Sequence, residues 1–144
     1  MKKLLAVLLC LGLVGCSSLR SLSQATAPTR ENLIRLSIGM TKQEVLDTMG
    51  TETREAYYHG GLDNWAFSTM NNPYRSEILQ GKDKTLEVIY YVTDDKNHDG
   101  AINDNELTPL VFDEGKLIGW GWSFLQDSLN KYGINMSQSG VNLG

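Results

Sequence analysis

A run of acidic and amide side chains between residues 95 and 106 has the spacing of the calcium-binding loop of an EF-hand. Aspartate, asparagine and aspartate stand at its first, third and fifth positions, Gly100 stands sixth and a glutamate closes it. Ca²⁺ takes about six to eight oxygen ligands, and this spacing supplies them. The predicted ligands are Asp95, Asn97, Asp99, the carbonyl oxygen of Ala101, Asn103 through a water molecule, and Glu106 with both carboxylate oxygens.

The segments that flank this loop are not those of an EF-hand. A strand pattern over residues 88–93 precedes the loop, and Pro109 follows it, so no helix is expected on either side. Two interpretations stay open. One is a structural Ca²⁺ site with an affinity of about 10⁻⁴–10⁻³ M, as in extracellular modules. The other is an acidic turn between two strands, since Asp, Asn and Gly are common turn residues.

Cys16 is the second residue whose position indicates chemistry. Lysines at positions 2 and 3 precede an apolar run over residues 4–14. That run is shorter than the roughly 20 residues of a membrane-spanning helix and is typical of a signal peptide. It ends in Leu13-Val14-Gly15-Cys16, which resembles the lipobox of bacterial lipoproteins. The resemblance implies cleavage after residue 15, a diacylglyceryl group on the thiol and a third acyl chain on the new amino group.

Two other interpretations of this segment are an ordinary secretory signal, with Cys16 as a free thiol, and a buried apolar helix. Leu13 stands where an ordinary signal needs a small residue, and an unpaired thiol is unusual in an oxidising compartment. We therefore expect a lipid anchor. Each buried methylene contributes about 0.8 kcal/mol, so two or three acyl chains hold a protein firmly. In such lipoproteins Ser17 implies the periplasmic face of the outer membrane.

No arrangement of residues typical of an enzyme is present. The two histidines, His59 and His98, have no free cysteine to pair with once Cys16 is acylated, and no hydrolase, metalloprotease or phosphate-binding motif occurs. The formal net charge of −4 argues against nucleic acid as a partner. We expect contacts with the membrane, through the lipid, and with an envelope protein, for which Trp65 and Tyr74 are the candidate binding residues.

The secondary structure expected around these sites begins with a flexible tether over residues 16–29, rich in Ser, Ala, Thr and Gln. A short helix is expected over residues 30–36. Thr41 and Glu44 form a capping box at the start of a second helix, which ends at Gly50.

Alternating apolar residues then predict a series of strands. A hairpin turn is expected at residues 113–116, an irregular excursion at 70–80, a short C-terminal helix over 125–132 and a disordered tail over 134–144. Trp120 and Trp122 are expected in the core. The fold class is α+β, with two short N-terminal helices packed on one face of an antiparallel β-meander. The predicted strands are 53–59, 64–69, 84–93, 107–113 and 117–124.

Three groups of residues resemble the SmpA/OmlA (BamE-like) outer-membrane lipoprotein family. They are the helix motif, a Trp-x-aromatic strand and a late Phe-Asp-x-Gly hairpin: Gly39, Met40, Thr41, Glu44, Val45, Met49 and Gly50; Trp65 and Phe67; Phe112, Asp113 and Gly115. The resemblance implies a domain over residues 30–133 and a scaffold or interaction role in outer-membrane protein assembly or envelope integrity. The alternatives are a lipid-tethered module with a structural Ca²⁺ loop and a periplasmic inhibitor or ligand-binding domain.

Overall fold

The computed structural model describes residues 20–59 and 65–135, with His59 and Trp65 described by their backbone only. The predicted signal peptide, Cys16 and residues 136–144 lie outside this part of the chain. Over the described residues the fold has three α-helices and two β-sheets. The predicted α+β fold class is therefore confirmed.

The first sheet is small and mixed. Its strand β1 runs parallel to β2, with Arg20 opposite Ala56, and β2 runs antiparallel to β3, with Tyr57 opposite Phe67. The strands are β1 (Arg20–Ser21), β2 (Arg54–His59) and β3 (Trp65–Met70).

The second sheet is antiparallel, and its four strands lie side by side in chain order. Its strands are β4 (Arg75–Gln80), β5 (Thr85–Val92), β6 (Leu107–Asp113) and β7 (Lys116–Trp120). In the β5–β6 pair, Val92 lies opposite Leu107 and Leu86 lies opposite Asp113. The acidic loop therefore lies at one end of this sheet, and the tight turns at residues 81–84 and 114–115 lie at the other.

The helices are α1 (Leu22–Asn32), α2 (Lys42–Met49) and α3 (Trp122–Tyr132). Short 3₁₀ turns follow α1 at Leu33–Arg35 and precede β6 at Asp104–Glu106. The predicted capping box of α2 is present, because Thr41 N donates to Glu44 Oε2 at 2.7 Å and Glu44 N donates to Thr41 Oγ1 at 3.2 Å. Within the described ranges, no helix has the length and apolar character needed to cross a membrane.

The two faces of the second sheet carry separate hydrophobic clusters. One face, with Val88 and Val111, packs with Leu22 and Ala25 of α1 and with Leu125 of α3. The opposite face packs with α2, and its buried residues are Leu36, Val45, Met49, Ile89, Tyr91, Leu110, Phe112 and Leu117. The expectation that the helices cover one face of a single meander is wrong, because the strands form two sheets and helices pack on both faces of the larger one.

The predicted flexible tether over 16–29 is wrong for residues 20–29, which form β1 and most of α1. The buried residues of α1 are Leu22, Ala25, Thr26 and Thr29, spaced at helical intervals. Two of the four are threonines, which obscured the amphipathic pattern. Thr26 Oγ1 donates to Ser23 O at 3.0 Å, and Thr29 Oγ1 accepts from Asn72 Nδ2 at 3.1 Å, so both hydroxyls are satisfied where they are buried.

Three further predictions need correction. The segment 70–80 is not an irregular excursion, because residues 75–80 form the edge strand β4. The strand predicted over 117–124 ends at Trp120, because Gly121 takes a positive φ of 91° and α3 begins at Trp122. The tail predicted from residue 134 does not begin there, since Ile134 is buried and its N–H donates to Leu129 O at 2.9 Å.

Candidate functional site in the acidic loop

At the base of the acidic loop, the pairing of β5 with β6 continues for one more residue pair before the two strands diverge. Thr93 N and Asp94 N donate to Glu106 O at 3.0 and 3.2 Å, and the hydroxyls of Thr93 and Thr108 lie 2.7 Å apart. The loop is therefore fixed at its base by backbone and side-chain hydrogen bonds that do not involve a ligand.

Glu106, the predicted bidentate ligand, is 2% exposed and points into the loop. Its Oε1 accepts from Lys96 N at 2.8 Å and from Asn97 N at 3.1 Å, and its Oε2 accepts from Asn103 N at 2.9 Å. Hydrogen bonds to a charged group contribute about 1.5–3 kcal/mol each, so this carboxylate organises the loop from within.

Asp95, the first predicted ligand, is also buried, at 8% exposure. Its Oδ1 accepts from His98 N at 3.2 Å, and its Oδ2 lies 2.9 Å from His98 Nδ1. His98 takes a positive φ of 51° and its side chain is 71% exposed. No role was predicted for His98, whereas the structure places it within hydrogen-bond distance of the Asp95 carboxylate.

The other predicted ligands are exposed at the surface of the loop. Asp99 Oδ1 accepts from Ala101 N at 2.9 Å, and Asn103 Nδ2 donates to Ala101 O at 3.4 Å, while Asn97 is exposed. Among the residues that the structure describes, no three His, Cys, Asp or Glu side chains are arranged to hold a metal ion. The donor set is all oxygen and suits Ca²⁺, but in this arrangement its two buried carboxylates serve the backbone of the loop.

Two arginines and the small sheet hold the loop from outside. Arg30 of α1 lies 3.6 Å from Asp94, and Arg75 Nη1 donates to Asp104 Oδ1 at 2.8 Å. Ser68 Oγ donates to Gly100 O at 3.3 Å, and the ring of Tyr58 lies directly against Gly100. These residues are far from the loop in sequence, so no local pattern could have identified them.

Arg75 also joins the loop to the core of the second sheet. Its guanidinium carbon lies 4.2 Å from the centre of the Tyr90 ring, and its Nε lies 3.0 Å from Glu77 Oε1. Tyr90 OH donates to Glu77 Oε2 at 3.1 Å. Burial alone would lower the pKa of Arg75, but the hydrogen bond with Asp104 and the nearby acidic charges raise it overall. Burial, followed by the charge of Glu77, raises the pKa of Tyr90.

A cavity of about 380 Å³ lies between the loop and the first described residues of the chain. Its walls are Ser21, Leu22 and Ser23, the neighbouring tyrosines Tyr57 and Tyr58, and the loop residues Asp95 and His98. The beginning of α1, the small sheet and the acidic loop therefore meet at one place.

The structure describes the side chain of only one of the two aromatic residues proposed as contacts. Tyr74 is 38% exposed, whereas the side chain of Trp65 is outside the described part of the structure. Trp122, expected in the core, is 37% exposed, and its Nε1 donates to Leu107 O at 2.8 Å. Phe67 and Ile78 are more exposed, at 67% and 56%. The sequence did not identify these two, since alternation predicts which residues share a face but not which face is covered.

Comparison with known proteins gives one match. A family model described as a protein of unknown function (DUF3192) matches residues 19–127, which is more than half of the chain. The resemblance to the SmpA/OmlA family is therefore wrong. The motif over residues 39–50, on which it rested, consists of capping residues that begin and end helices in general. No curated protein and no solved structure matches the chain.

Proposed function

The chain belongs to the DUF3192 family, and we propose that it is a lipid-anchored lipoprotein of the cell envelope with a non-catalytic interaction role. The observation that carries the proposal is the sequence Leu13-Val14-Gly15-Cys16 after a basic start and a short apolar run. Ser17 supports the periplasmic face of the outer membrane as the location. The acidic composition supports anchoring by acyl chains and not by basic residues, because no excess of positive charge is available to grip anionic lipid.

Metabolic labelling with an alkyne analogue of palmitate tests the anchor. The wild-type chain and a Cys10→Ser variant should both be labelled and recovered with the outer membrane, because Cys10 lies in the segment that is removed. Cys16→Ser should lose the label and leave the membrane fraction. Equal labelling of the Cys16→Ser variant and the wild type would contradict the proposal.

The interaction role is supported by exposed apolar side chains on two edge strands that follow each other along the chain. Phe67 on β3 and Ile78 on β4 are both more than half exposed, and Tyr74 lies in the short connection between these strands. Side chains of this kind are enriched where proteins meet. A photoreactive residue at position 67 or 78 should crosslink to an envelope protein in intact cells, and the same residue at exposed Lys82 should not. Equal yields at all three positions would count against this surface.

A second candidate function is a structural Ca²⁺ site in the acidic loop. Its support is the match of residues 95–106 to the ligand spacing, together with the inward position of Asp95 and Glu106. A carboxylate oxygen has two lone pairs, so an oxygen that accepts one hydrogen bond keeps a direction for a cation. This holds for both oxygens of Asp95 and for Oε2 of Glu106, whereas Oε1 of Glu106 already accepts two N–H groups. Bound there, Ca²⁺ would supply positive charge that neutralises the loop and fixes its exposed side chains.

Calorimetry on the mature chain carrying Cys16→Ser tests this site. Asp99→Asn keeps the oxygen that accepts from Ala101 N and removes one charge, so it should weaken the binding of Ca²⁺ without disturbing the loop. Asp83→Asn, at the opposite end of the sheet, is the matched control and should bind as the wild type does. If the protein with the wild-type loop gives no heat of binding at millimolar Ca²⁺, the proposal of a Ca²⁺ site is wrong.

A further inference from the structure

Arg20, the first residue that the structure describes, stands only four positions after the proposed anchor at Cys16. Arg20 is already paired in β1, opposite Ala56, so only residues 17–19 separate it from Cys16. A fully extended chain spans at most about 3.6 Å per residue, which gives a reach of roughly 14 Å from Cys16 to Arg20. The predicted tether of residues 16–29 would have reached several times further. Because residues 20–29 form β1 and most of α1 instead, the proposed anchor holds the domain closer to the bilayer.

This reach is short compared with the length of the folded domain. The polar headgroup layer on each side of a bilayer is about 5–8 Å thick, so it takes up about half of the reach. Strand β5 has eight residues and is therefore about 26 Å long at roughly 3.3 Å per residue. An anchor this short keeps the end of the domain next to Arg20 close to the bilayer, whereas the opposite end can lie up to a strand length further away.

The contacts identify which end is held near the anchor. Ser21 and Leu22 form one wall of the cavity whose opposite wall contains Asp95 and His98. The tight turns of the second sheet, at residues 81–84 and 114–115, lie at the far end of β5 and β6 from this loop. The acidic loop and the attachment point therefore share one end of the domain.

We propose that the acidic-loop end faces the lipid headgroups, and that the partner of this surface is the headgroup layer of the membrane that holds the anchor. The inference rests on the proposed acylation of Cys16. The exposed side chains of the loop are polar, among them Lys96, Asn97, His98 and Asp99. The large exposed apolar residues of the described chain, such as Ile34 and Phe67, lie outside the loop. The loop is polar and, with four carboxylates and one lysine between residues 95 and 106, acidic. The surface is thus suited to headgroups that carry an ammonium group and not to insertion among acyl chains.

Depth-dependent quenching in vesicles tests the orientation. The acylated protein has no free thiol, so Lys96→Cys and Lys82→Cys each introduce one site for a fluorescent label, with the same change of charge at exposed positions. Vesicles of phosphatidylethanolamine and phosphatidylglycerol carry a nickel-chelating lipid as the quencher. We expect quenching at position 96 to exceed that at position 82 several-fold. Equal quenching, or stronger quenching at position 82, would overturn the proposal.

A lengthened linker tests whether the short connection between Cys16 and Arg20 causes the difference in quenching between positions 96 and 82. About 20 Gly and Ser residues inserted between Ser18 and Leu19 give a root-mean-square span of about 25 Å, and the difference between the two positions should then largely disappear. A difference that survives the insertion unchanged would overturn the short linker as its cause. Mass spectrometry and flotation separate this proposal from the anchor: a chain that is not acylated and does not float refutes both, whereas an acylated chain with equal quenching refutes only the orientation.

Discussion

The ring of Tyr58 occupies the space that a side chain at Gly100 would need. A Cβ atom built on Gly100 would lie 2.0 Å from Cε1 of Tyr58, and the φ of Gly100 is 74°. Glycine is therefore required here for two separate reasons: the turn of the loop and its contact with β2. The sequence indicated the first reason, since glycine is the sixth residue of the motif, but it did not indicate the second.

Replacing Gly100 by alanine should destabilise the protein by about 2–5 kcal/mol, because roughly 1–2 kcal/mol of backbone strain adds to roughly 1–3 kcal/mol of overpacking. Gly115→Ala is the matched control, since its φ is 76° and no atom lies within 4 Å of the added carbon. It should cost only the backbone strain. Urea denaturation of both variants measures the difference, and equal losses would show that the Tyr58 contact does not hold the loop.

Arg75→Met should destabilise the protein by about 2–4 kcal/mol. The guanidinium pairs with Glu77, whose side chain is 14% exposed, and its removal leaves that carboxylate without a cation. Breaking a buried pair costs roughly 3–5 kcal/mol, and the 32% exposure of Arg75 reduces this figure. Thermal denaturation measures the loss.

The control for Arg75 is Asp104→Asn, because the Asp104 side chain is 52% exposed. Exposed ion pairs contribute about 0–1 kcal/mol, so this variant should lose less than about 1 kcal/mol. Similar losses in the two variants would locate the contribution of Arg75 in the loop and not in the core network of Glu77 and Tyr90.

The capping box of α2 should make stability depend on pH in the acid range. Hydrogen bonds from the backbone and then from the side chain of Thr41 lower the pKa of Glu44 below its ordinary value of 4.5. A lowered pKa means that the stabilisation is fully present above the unfolded value and is lost as pH falls through the folded value. The unfolding midpoints of wild type and Glu44→Gln should differ at neutral pH and converge in acid. A gap that stays constant with pH would contradict this, and Glu31→Gln, an exposed change in α1 outside the cap, should leave the profile unchanged.

Leu22→Ala should destabilise the protein by about 2–5 kcal/mol, because it removes a buried side chain of α1 from the core. The matched control is Ile34→Ala, where the side chain is 87% exposed and the change should stay within about 0.5 kcal/mol. Guanidinium denaturation measures both. If Leu22→Ala were as mild as the control, residues 20–29 would be a tether after all.

Local signals in the sequence predicted local structure well. The box of Thr41 and Glu44 and the strand at residues 107–113 are where their patterns place them, because each is determined by neighbours within a few residues. The start of α1 was missed because Thr26 and Thr29 face the core, where hydrophobic residues are expected. The helix motif over residues 39–50 predicted its own geometry but not a family.

The candidate site was predictable only in part, for the same physical reason. The spacing of residues 95–106 identified a closed acidic loop. The groups that fix it in place come from α1, β2, β3 and β4, and no pairing between segments so far apart is encoded in local periodicity. The inward direction of Glu106 also depends on N–H groups up to ten residues earlier, at Lys96 and Asn97.

Leu22 and Leu129 belong to the same hydrophobic cluster, although they stand near opposite ends of the described chain. Contacts between residues so distant in sequence slow folding, because a long stretch of chain must be ordered before they form. A chain that emerges with its N-terminus first therefore cannot complete this cluster until α3 has followed. During that interval the buried face of α1 stays without part of its packing partners and is open to capture by a chaperone or to aggregation.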